Sequence, residues 1–383
     1  MKKEIQLLKE LLSIPSVNGE SNECEIAEFV YRYLKSHGVQ TTIQYIDKSH
    51  ANVIAVIPGK KEQTIIWNGH LDTVPYGKRK EWDTDPEIPK EKEGKIYARG
   101  ASDMKSGLAA MVYLMGELGR MEGRPENTIC FLGTCDEEKG GAGAKYILKE
   151  NKMPQAELLL IGEPTGCQLG VAQKGCLWIE YSVNGKMSHG AYPWEGCNAI
   201  EYGMKVFAQL KNWIEKFEHE ILGKATAQIT MVHGGEVPNM TPDYVRFTVD
   251  IRTVPGIARQ TILEKMKKIG KNLYEESSGD VKVEIQILNE RRYIELSKDN
   301  YWLRRFKDCL KKEGESVREV GINYFTDASI LTVANETMPV LLFGPGEPYM
   351  AHKANEYIEI EKYEKYIRLL CRIFDIGYPK TGK

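Results

Sequence analysis

Three apolar runs in this chain each end at an ionisable residue, and that repetition limits the folds open to it. Thr64-Ile65-Ile66-Trp67-Asn68-Gly69 leads into His70 and Asp72, Thr128-Ile129-Cys130-Phe131-Leu132-Gly133-Thr134 into Asp136-Glu137-Glu138, and Leu158-Leu159-Leu160-Ile161-Gly162 into Glu163. Short, continuously apolar and β-branched runs read as strands buried on both faces. Pro164 holds Glu163 to an extended conformation. Between these runs the apolar spacing becomes helical. Ile5, Leu8, Leu11 and Leu12 share a face over 4–12, as do Ile26, Ala27, Phe29, Val30, Tyr33 and Leu34 over 23–36, and further helices are predicted over 105–119 and 141–150. Strands at 40–46 and 52–57 precede the first apolar run, the more amphipathic 40–46 belonging near a sheet edge. Helices alternating with buried strands predict an α/β domain, a largely parallel sheet covered by helices. Ligands of such sheets bind at the carboxyl ends of the strands.

After about residue 174 the order changes. Strand 176–184, helix 197–217, strands 226–233 and 243–252, helix 258–276 and strand 281–288 follow the β-α-β-β-α-β order of a ferredoxin-like α+β unit. A complete unit of that kind is a domain of its own. The chain is therefore expected to form a discontinuous domain, 1–173 with 289–383, interrupted by an inserted domain, 174–288. The first domain resumes with helix 297–312, a polar turn over 321–329, an apolar strand at 338–343, Gly344-Pro345-Gly346 and a terminal helix from about 360.

Two more ionisable residues join those at the sheet's carboxyl edge. Asp103 opens the helix 105–119, where an aspartate is commonly an N-cap, and His352 lies between the last strand and the terminal helix. By itself, His70 beside Asp72 is equally a buried histidine paired with a carboxylate. Taken together, His70, Asp72, Asp103, Glu137, Glu138, Glu163 and His352 offer more. Two histidines and three ligating carboxylates, one of them bridging, suit a pair of zinc ions about 3.5–4 Å apart. Asp72 shares a face with His70 on an extended chain and is placed to accept a hydrogen bond from its other ring nitrogen. Two dications against three carboxylates and a hydroxide leave such a site near neutral, whereas crowded carboxylates without a cation repel one another.

Composition narrows what the site can serve. The 52 basic and 54 acidic residues are interspersed and leave a net charge of −2, which argues against a nucleic acid or an anionic membrane as partner. No segment approaches the roughly 20 apolar residues of a membrane span. Glu4, Lys9 and Glu10 break the apolar run a signal peptide would need. The eight cysteines contain no C-x-x-C pair, as expected of reduced thiols in the cytoplasm. Gly140-Gly141-Ala142-Gly143-Ala144-Lys145 lacks the spacing of a phosphate loop and reads as a turn opening a helix.

Five blocks now stand out: Asn68-Gly69-His70-Leu71-Asp72-Thr73-Val74-Pro75, Gly100-Ala101-Ser102-Asp103-Met104-Lys105, Asp136-Glu137-Glu138, Gly162-Glu163-Pro164 and Ala351-His352-Lys353-Ala354-Asn355-Glu356. They resemble, in order and from about residue 5 to 377, the zinc metallopeptidase and deacylase family of acetylornithine deacetylase, succinyl-diaminopimelate desuccinylase, aminoacylase and carboxypeptidase G. The resemblance implies that Asp103 bridges two zinc ions, that His70 and Glu163 complete one site, and that Glu138 and His352 complete the other. Cobalt or manganese would be able to substitute. It also implies that Glu137 is the general base, with Asp72 serving catalysis from beside His70; adjacency alone does not tell Glu137 from Glu138.

In the inserted domain, Gly185-Lys186-Met187-Ser188-His189-Gly190-Ala191-Tyr192-Pro193 resembles the family segment whose histidine, often from the other subunit, stabilises the oxyanion. That histidine is His189 here. Tyr192, Asn239 and Arg252 resemble substrate-binding positions, Arg252 suiting a bidentate grip on a carboxylate, with a strand-end salt bridge as its alternative. Gly344-Pro345-Gly346 would offer backbone amides nearby. A homodimer formed through the inserted domain is expected, acting on a small N-acyl amino acid or short peptide.

Two departures bear on the substrate. Where desuccinylases show Thr-Ser-Asp-Gly-Arg-Phe this chain has Phe325-Thr326-Asp327-Ala328-Ser329, and it carries Glu163 where aminopeptidases and dipeptidases of the family tend to have Asp. The resemblance therefore implies a deacylase, with a carboxypeptidase or dipeptidase as the alternative. A non-catalytic binding protein is a remote third, since a binding module has no need of a general base.

Overall fold

A computed structural model describes residues 2–377. The last residues of the expected first domain, 378–383, lie outside the described residues. The chain separates into two compact units, one built from the chain through Val171, Leu296–Val320 and the segment from Thr326 onward, the other from Ala172–Glu295 and Gly321–Phe325.

In the first unit α1 (Lys3–Leu12) and α2 (Cys24–Ser36) are followed by β1 (Gln40–Tyr45), β2 (Ala51–Ile57) and β3 (Lys61–His70). Then come α3 (Lys105–Arg120), β4 (Asn127–Thr134), α4 (Ala142–Lys149), β5 (Leu158–Ile161) and β6 (Leu169–Gln173), along which the chain passes to the second unit. The second unit contains β7 (Gly175–Asn184), α5 (Ala199–Ile214), β8 (Thr226–Gly234), β9 (Tyr244–Thr253), α6 (Arg259–Glu276) and β10 (Lys282–Arg291). The first resumes with α7 (Tyr301–Lys312), β11 (Val340–Leu342) and α8 (Ile360–Ile373).

The first unit's sheet runs β1-β2-β4-β3-β5-β11-β6. Its middle strands β4, β3, β5 and β11 are parallel, and β1 and β2 add an antiparallel margin with amphipathic β1 at the edge. Register then sets the level of the strand ends. His70 pairs with Thr134, three residues before Glu137, and Asn68 pairs with Ile161, two residues before Glu163. Three ionisable residues thus leave the sheet at one height. Helix α3 is apolar on every side and buried from Lys105 to Gly116, as such a helix must be. Its first turn presses on the end of β5, since a Cβ on Gly107 would lie 2.0 Å from the Gly162 carbonyl oxygen. Only glycine allows that approach, which brings the Asp103 turn beside the Glu163 turn.

The second unit's sheet runs β8-β9-β7-β10 with every pair antiparallel, the split β-α-β-β-α-β arrangement. Leu177, Ile179, Tyr181 and Val183 alternate inward along β7 and pack with Val206, Leu210 and Ile214 of α5 and Ile262, Met266, Ile269 and Leu273 of α6. Asn198 starts α5 by accepting from the amides of Ile200 and Glu201.

One expectation is corrected. The polar turn expected over 321–329 overlaps the end of the strand Glu319–Ile322 and the start of a helical turn, Ala328–Leu331, and Thr326, Asp327, Ala328 and Ser329 are all buried. Polarity misleads there because buried polar side chains find partners inside the fold. Lys90–Lys92, Lys95–Tyr97 and the distant Tyr357–Glu359 form a three-stranded sheet. Among the described residues no helix is long and apolar enough to cross a membrane.

Candidate metal centre

His70 ends β3 with its imidazole 2% exposed. Its Nδ1 lies 3.0 Å from the Asp72 carbonyl oxygen, which can only accept, so Nδ1 carries a proton and the lone pair of the neutral ring is on Nε2. That lone pair faces carboxylate oxygens, Asp103 Oδ1 at 3.2 Å and Glu163 Oε1 at 3.9 Å. On the other side His352 Nε2 stands 3.0 Å from Glu138 Oε2 and 3.4 Å from Asp103 Oδ2. Asp103 therefore offers one oxygen to each histidine. It is not an N-cap: α3 begins at Lys105 with Met104 at the cap position and no side-chain cap.

Ligand atoms of His70, Asp103 and Glu138 fall within 4.8 Å of one another, and so do those of His70, Glu137 and Glu163. Proximity alone thus gives both adjacent glutamates reach to a cation, and the contact with His352 belongs to Glu138. These residues fit a pair of cations on electrostatic grounds. Burial raises the Glu137 and Glu163 pKa values well above the ordinary carboxylate range; Asp103, Asp327 and the neighbouring glutamates add to this, and His70 opposes it. Glu138 is raised by burial and by Asp103. Burial would lower His70, but Asp103, Asp72 and Glu163 carry it well above its usual value, and hydrogen bonds to Asp103 and Glu138 push His352 up to about 10. The cluster pulls in positive charge, and two divalent ions supply it without protons.

A pH dependence follows. Ligands bind cations only after losing their protons, so raised pKa values mean that metal displaces protons and that affinity falls as pH falls. At pH 7 calorimetry of zinc binding to chelator-stripped protein, in buffers of different ionisation enthalpy, is expected to show net proton release, shrinking as pH approaches the His352 value of about 10. Binding without proton release at pH 7 would contradict these shifts.

Asp72 does more than its spacing implied. Its backbone carbonyl lies 3.0 Å from His70 Nδ1, and its carboxylate Oδ1 stands 3.5 Å from the same nitrogen. The two carboxylate oxygens also accept from the amides of Glu137 and Glu138, both at 3.1 Å, and from Asn18 Nδ2 at 3.0 Å. Asn18 also donates to Asp136 Oδ1, and the buried Glu23 accepts from the Asp136 amide at 2.9 Å. Three successive amides at the exit of β4 are held by two buried carboxylates. Asn18 and Glu23 carried no signal in the sequence, because a polar residue in a loop or at a helix start reads as solvated.

The remaining candidates lie in the second unit. Ser188–His189 pairs with Met240–Thr241, so His189, Tyr192 and Asn239 gather at one exposed ribbon, with Gly190 donating to the Asn239 carbonyl. The Ala191 amide donates to His189 Nδ1 at 3.0 Å, which leaves the neutral ring's proton on Nε2. Arg252 is not in this ribbon. On β9 its Nε and Nη2 pair bidentately with Asp250 at 2.9 and 3.0 Å, the salt bridge of the alternative reading. Gly344-Pro345-Gly346 belongs to the first unit and serves packing: the Gly344 amide donates to Thr165, and a Cβ on Gly346 would lie 2.1 Å from the Ser102 carbonyl oxygen.

The sequence profile of Peptidase family M20/M25/M40 matches residues 66–375. A relative named as a probable succinyl-diaminopimelate desuccinylase, from Staphylococcus aureus, is 28% identical over 96% of this chain and 95% of its own length. In fold the chain is similar to an aminopeptidase of Bacillus cereus, at 22% identity and a TM-score of 0.79 over 98% of each chain. It is also similar to a protein of Bacillus subtilis described as a dinuclear metal binding peptidase, at 17% identity and a TM-score of 0.75 over 98% of this chain and 97% of that one.

Proposed function

The chain belongs to peptidase family M20/M25/M40, and from that premise we propose that it is a two-zinc amidohydrolase that removes the acyl group from an N-acyl amino acid. Hydrolysis of amide bonds is the chemistry of the family. The observation that carries the two-metal reading is the meeting of His70, Asp103, Glu138, Glu163 and His352 at one sheet edge, with Glu137 buried among them, and Glu163, where aminopeptidases and dipeptidases of the family tend to have Asp, supports the deacylase. Asp103 would bridge the ions, His70 and Glu163 completing one site and Glu138 and His352 the other. When bound, the ions would polarise the amide carbonyl and lower the pKa of water.

Glu137 takes the proton of the attacking water and returns it to the leaving nitrogen. Burial makes its carboxylate hold a proton more tightly than a solvated one, the direction suited to a base that must later act as an acid. His189, with its proton on Nε2, is the donor assigned to the oxyanion. Tyr192 and Asn239 beside it are candidate substrate contacts, and Arg252 would engage a carboxylate only through what its pairing with Asp250 leaves free. We assign 174–288 to dimerisation and the protein to a homodimer. The eight free cysteines suit a reducing cytoplasm.

The test is a substrate panel on chelator-stripped enzyme reloaded with zinc or cobalt. N-acyl amino acids, including acetylornithine and succinyl-diaminopimelate, are expected to exceed dipeptides in kcat/KM by at least about tenfold, ~1.4 kcal/mol of transition-state binding. Dipeptides turning over faster than every N-acyl amino acid would transfer the assignment to a carboxypeptidase or dipeptidase. No hydrolysis of any of them after reloading would remove the reading.

A further inference from the structure

The candidate ligands Asp103 and His352 lie far apart in sequence and sit on turns, not within strands, so something other than the sheet must fix their spacing. A short antiparallel pairing of Lys95–Tyr97 with Tyr357–Glu359 brings the two segments together, and a buried ion pair reaches from it to the turns themselves. Glu356 is 0% exposed and accepts four hydrogen bonds: Oε1 from the amides of Ser102 at 2.8 Å and Asp103 at 2.9 Å, Oε2 from the Gly100 amide at 3.0 Å and Arg99 Nη1 at 2.8 Å. Arg99, 4% exposed, donates onward to the Lys353 carbonyl at 3.0 Å through Nη1 and to the Pro75 carbonyl at 3.1 Å through Nη2, with its guanidinium 5.1 Å from the Trp82 ring centroid. Pro75 follows His70 by five residues and Lys353 adjoins His352. One pair therefore ties together the segments that carry His70, Asp103 and His352.

We propose that Glu356 and Arg99 are positioning residues of the metal centre, setting where the Asp103 carboxylate stands relative to His352. The proposal rests on the reading that Asp103 and His352 are ligands. Glu356 suits the task because both its oxygens are committed to donors and none of the four donors can rotate away: three are backbone amides and the fourth is a planar fork. A buried ion pair retained only for stability would show a different response, since removing both partners of such a pair is often neutral while removing one is costly.

Cobalt serves as the probe, because its visible absorption reports coordination. Glu356→Gln keeps the shape but turns an NH2 toward amide donors, so at least one pair of hydrogen bonds is lost. It is expected to weaken Co2+ binding by about 10–100-fold, as loss of a group supporting a ligand typically does, and to change the absorption spectrum. The double variant R99M/E356L is expected to regain thermal stability over E356L while keeping the weakened affinity, because no buried charge is left unpaired but the Gly100, Ser102 and Asp103 amides have lost their acceptor. R99K preserves the charge and the fold, yet an ammonium cannot span Glu356, Lys353 and Pro75 together, and weaker Co2+ binding is expected there as well. Wild-type affinity in R99K or E356Q, or recovery of affinity together with stability in the double variant, would overturn the proposal. Failure of the unmodified protein to bind two Co2+ ions would overturn the ligand reading instead, so the two failures are told apart.

Discussion

Glu137→Ala is expected to lower kcat by about 10²–10⁴-fold, the usual contribution of a general acid–base group, while the protein keeps its full complement of metal. The expectation is sharp because the structure gives Glu137 two plausible trades. Its carboxylate is close enough to His70 and Glu163 to serve as a ligand, and its neighbour Glu138 makes the contact with His352. A ligand and a base differ in what their loss removes. Metal analysis beside steady-state kinetics separates them: activity lost with metal retained identifies a base, whereas an ion lost with the side chain would exchange the roles of Glu137 and Glu138. The backbone amide of Glu137 is held by Asp72 Oδ1 whatever the side chain, so truncation leaves the turn in place.

Asp103→Ala is expected to abolish measurable turnover and to weaken binding of both ions by more than about 100-fold, since loss of a group merely supporting a ligand already costs 10–100-fold. Asp103 is the residue whose two oxygens face different histidines, Oδ1 toward His70 at 3.2 Å and Oδ2 toward His352 at 3.4 Å. Burial opposes its charge, yet the two histidines hold its pKa below the ordinary carboxylate value, which makes it the ionised centre around which the raised glutamates are arranged. Its removal leaves His70 and His352 with no common partner. Titration with Co2+ followed by absorption measures the effect, and wild-type affinity for both ions in the variant would exclude a bridging role.

Asp72 shows where reading the chain stops. Its place two residues from His70 is legible, and so is the idea that it supports the site. The carboxylate stands 3.5 Å from the imidazole, but it also holds the amides of Glu137 and Glu138, and the nearer partner of the ring is the Asp72 backbone carbonyl. The i, i+2 rule gives the face of an extended chain, and it says nothing of amides that a distant segment brings to that face. Arg252 is a similar case: the residue type suits a carboxylate, and Asp250, two positions away on the same strand face, provides one within the protein.

What the sequence determined by itself is the periodic part. Apolar runs of strand length, helices between them and the change of order after residue 174 specify two kinds of layer, because burial of apolar surface acts on patterns that are local in the chain. The runs also end where the chemistry begins, which placed His70, Glu137, Glu138 and Glu163 at one sheet edge before any coordinates. Only the tertiary structure decided what holds those residues at working distance. Asn18 and Glu23 behind the β4 turn and Glu356 with Arg99 under the Asp103 turn act through hydrogen bonds between segments far apart in the chain. Such bonds leave no period in a sequence, because a buried polar residue and an exposed one are spelled alike until the fold supplies the partner.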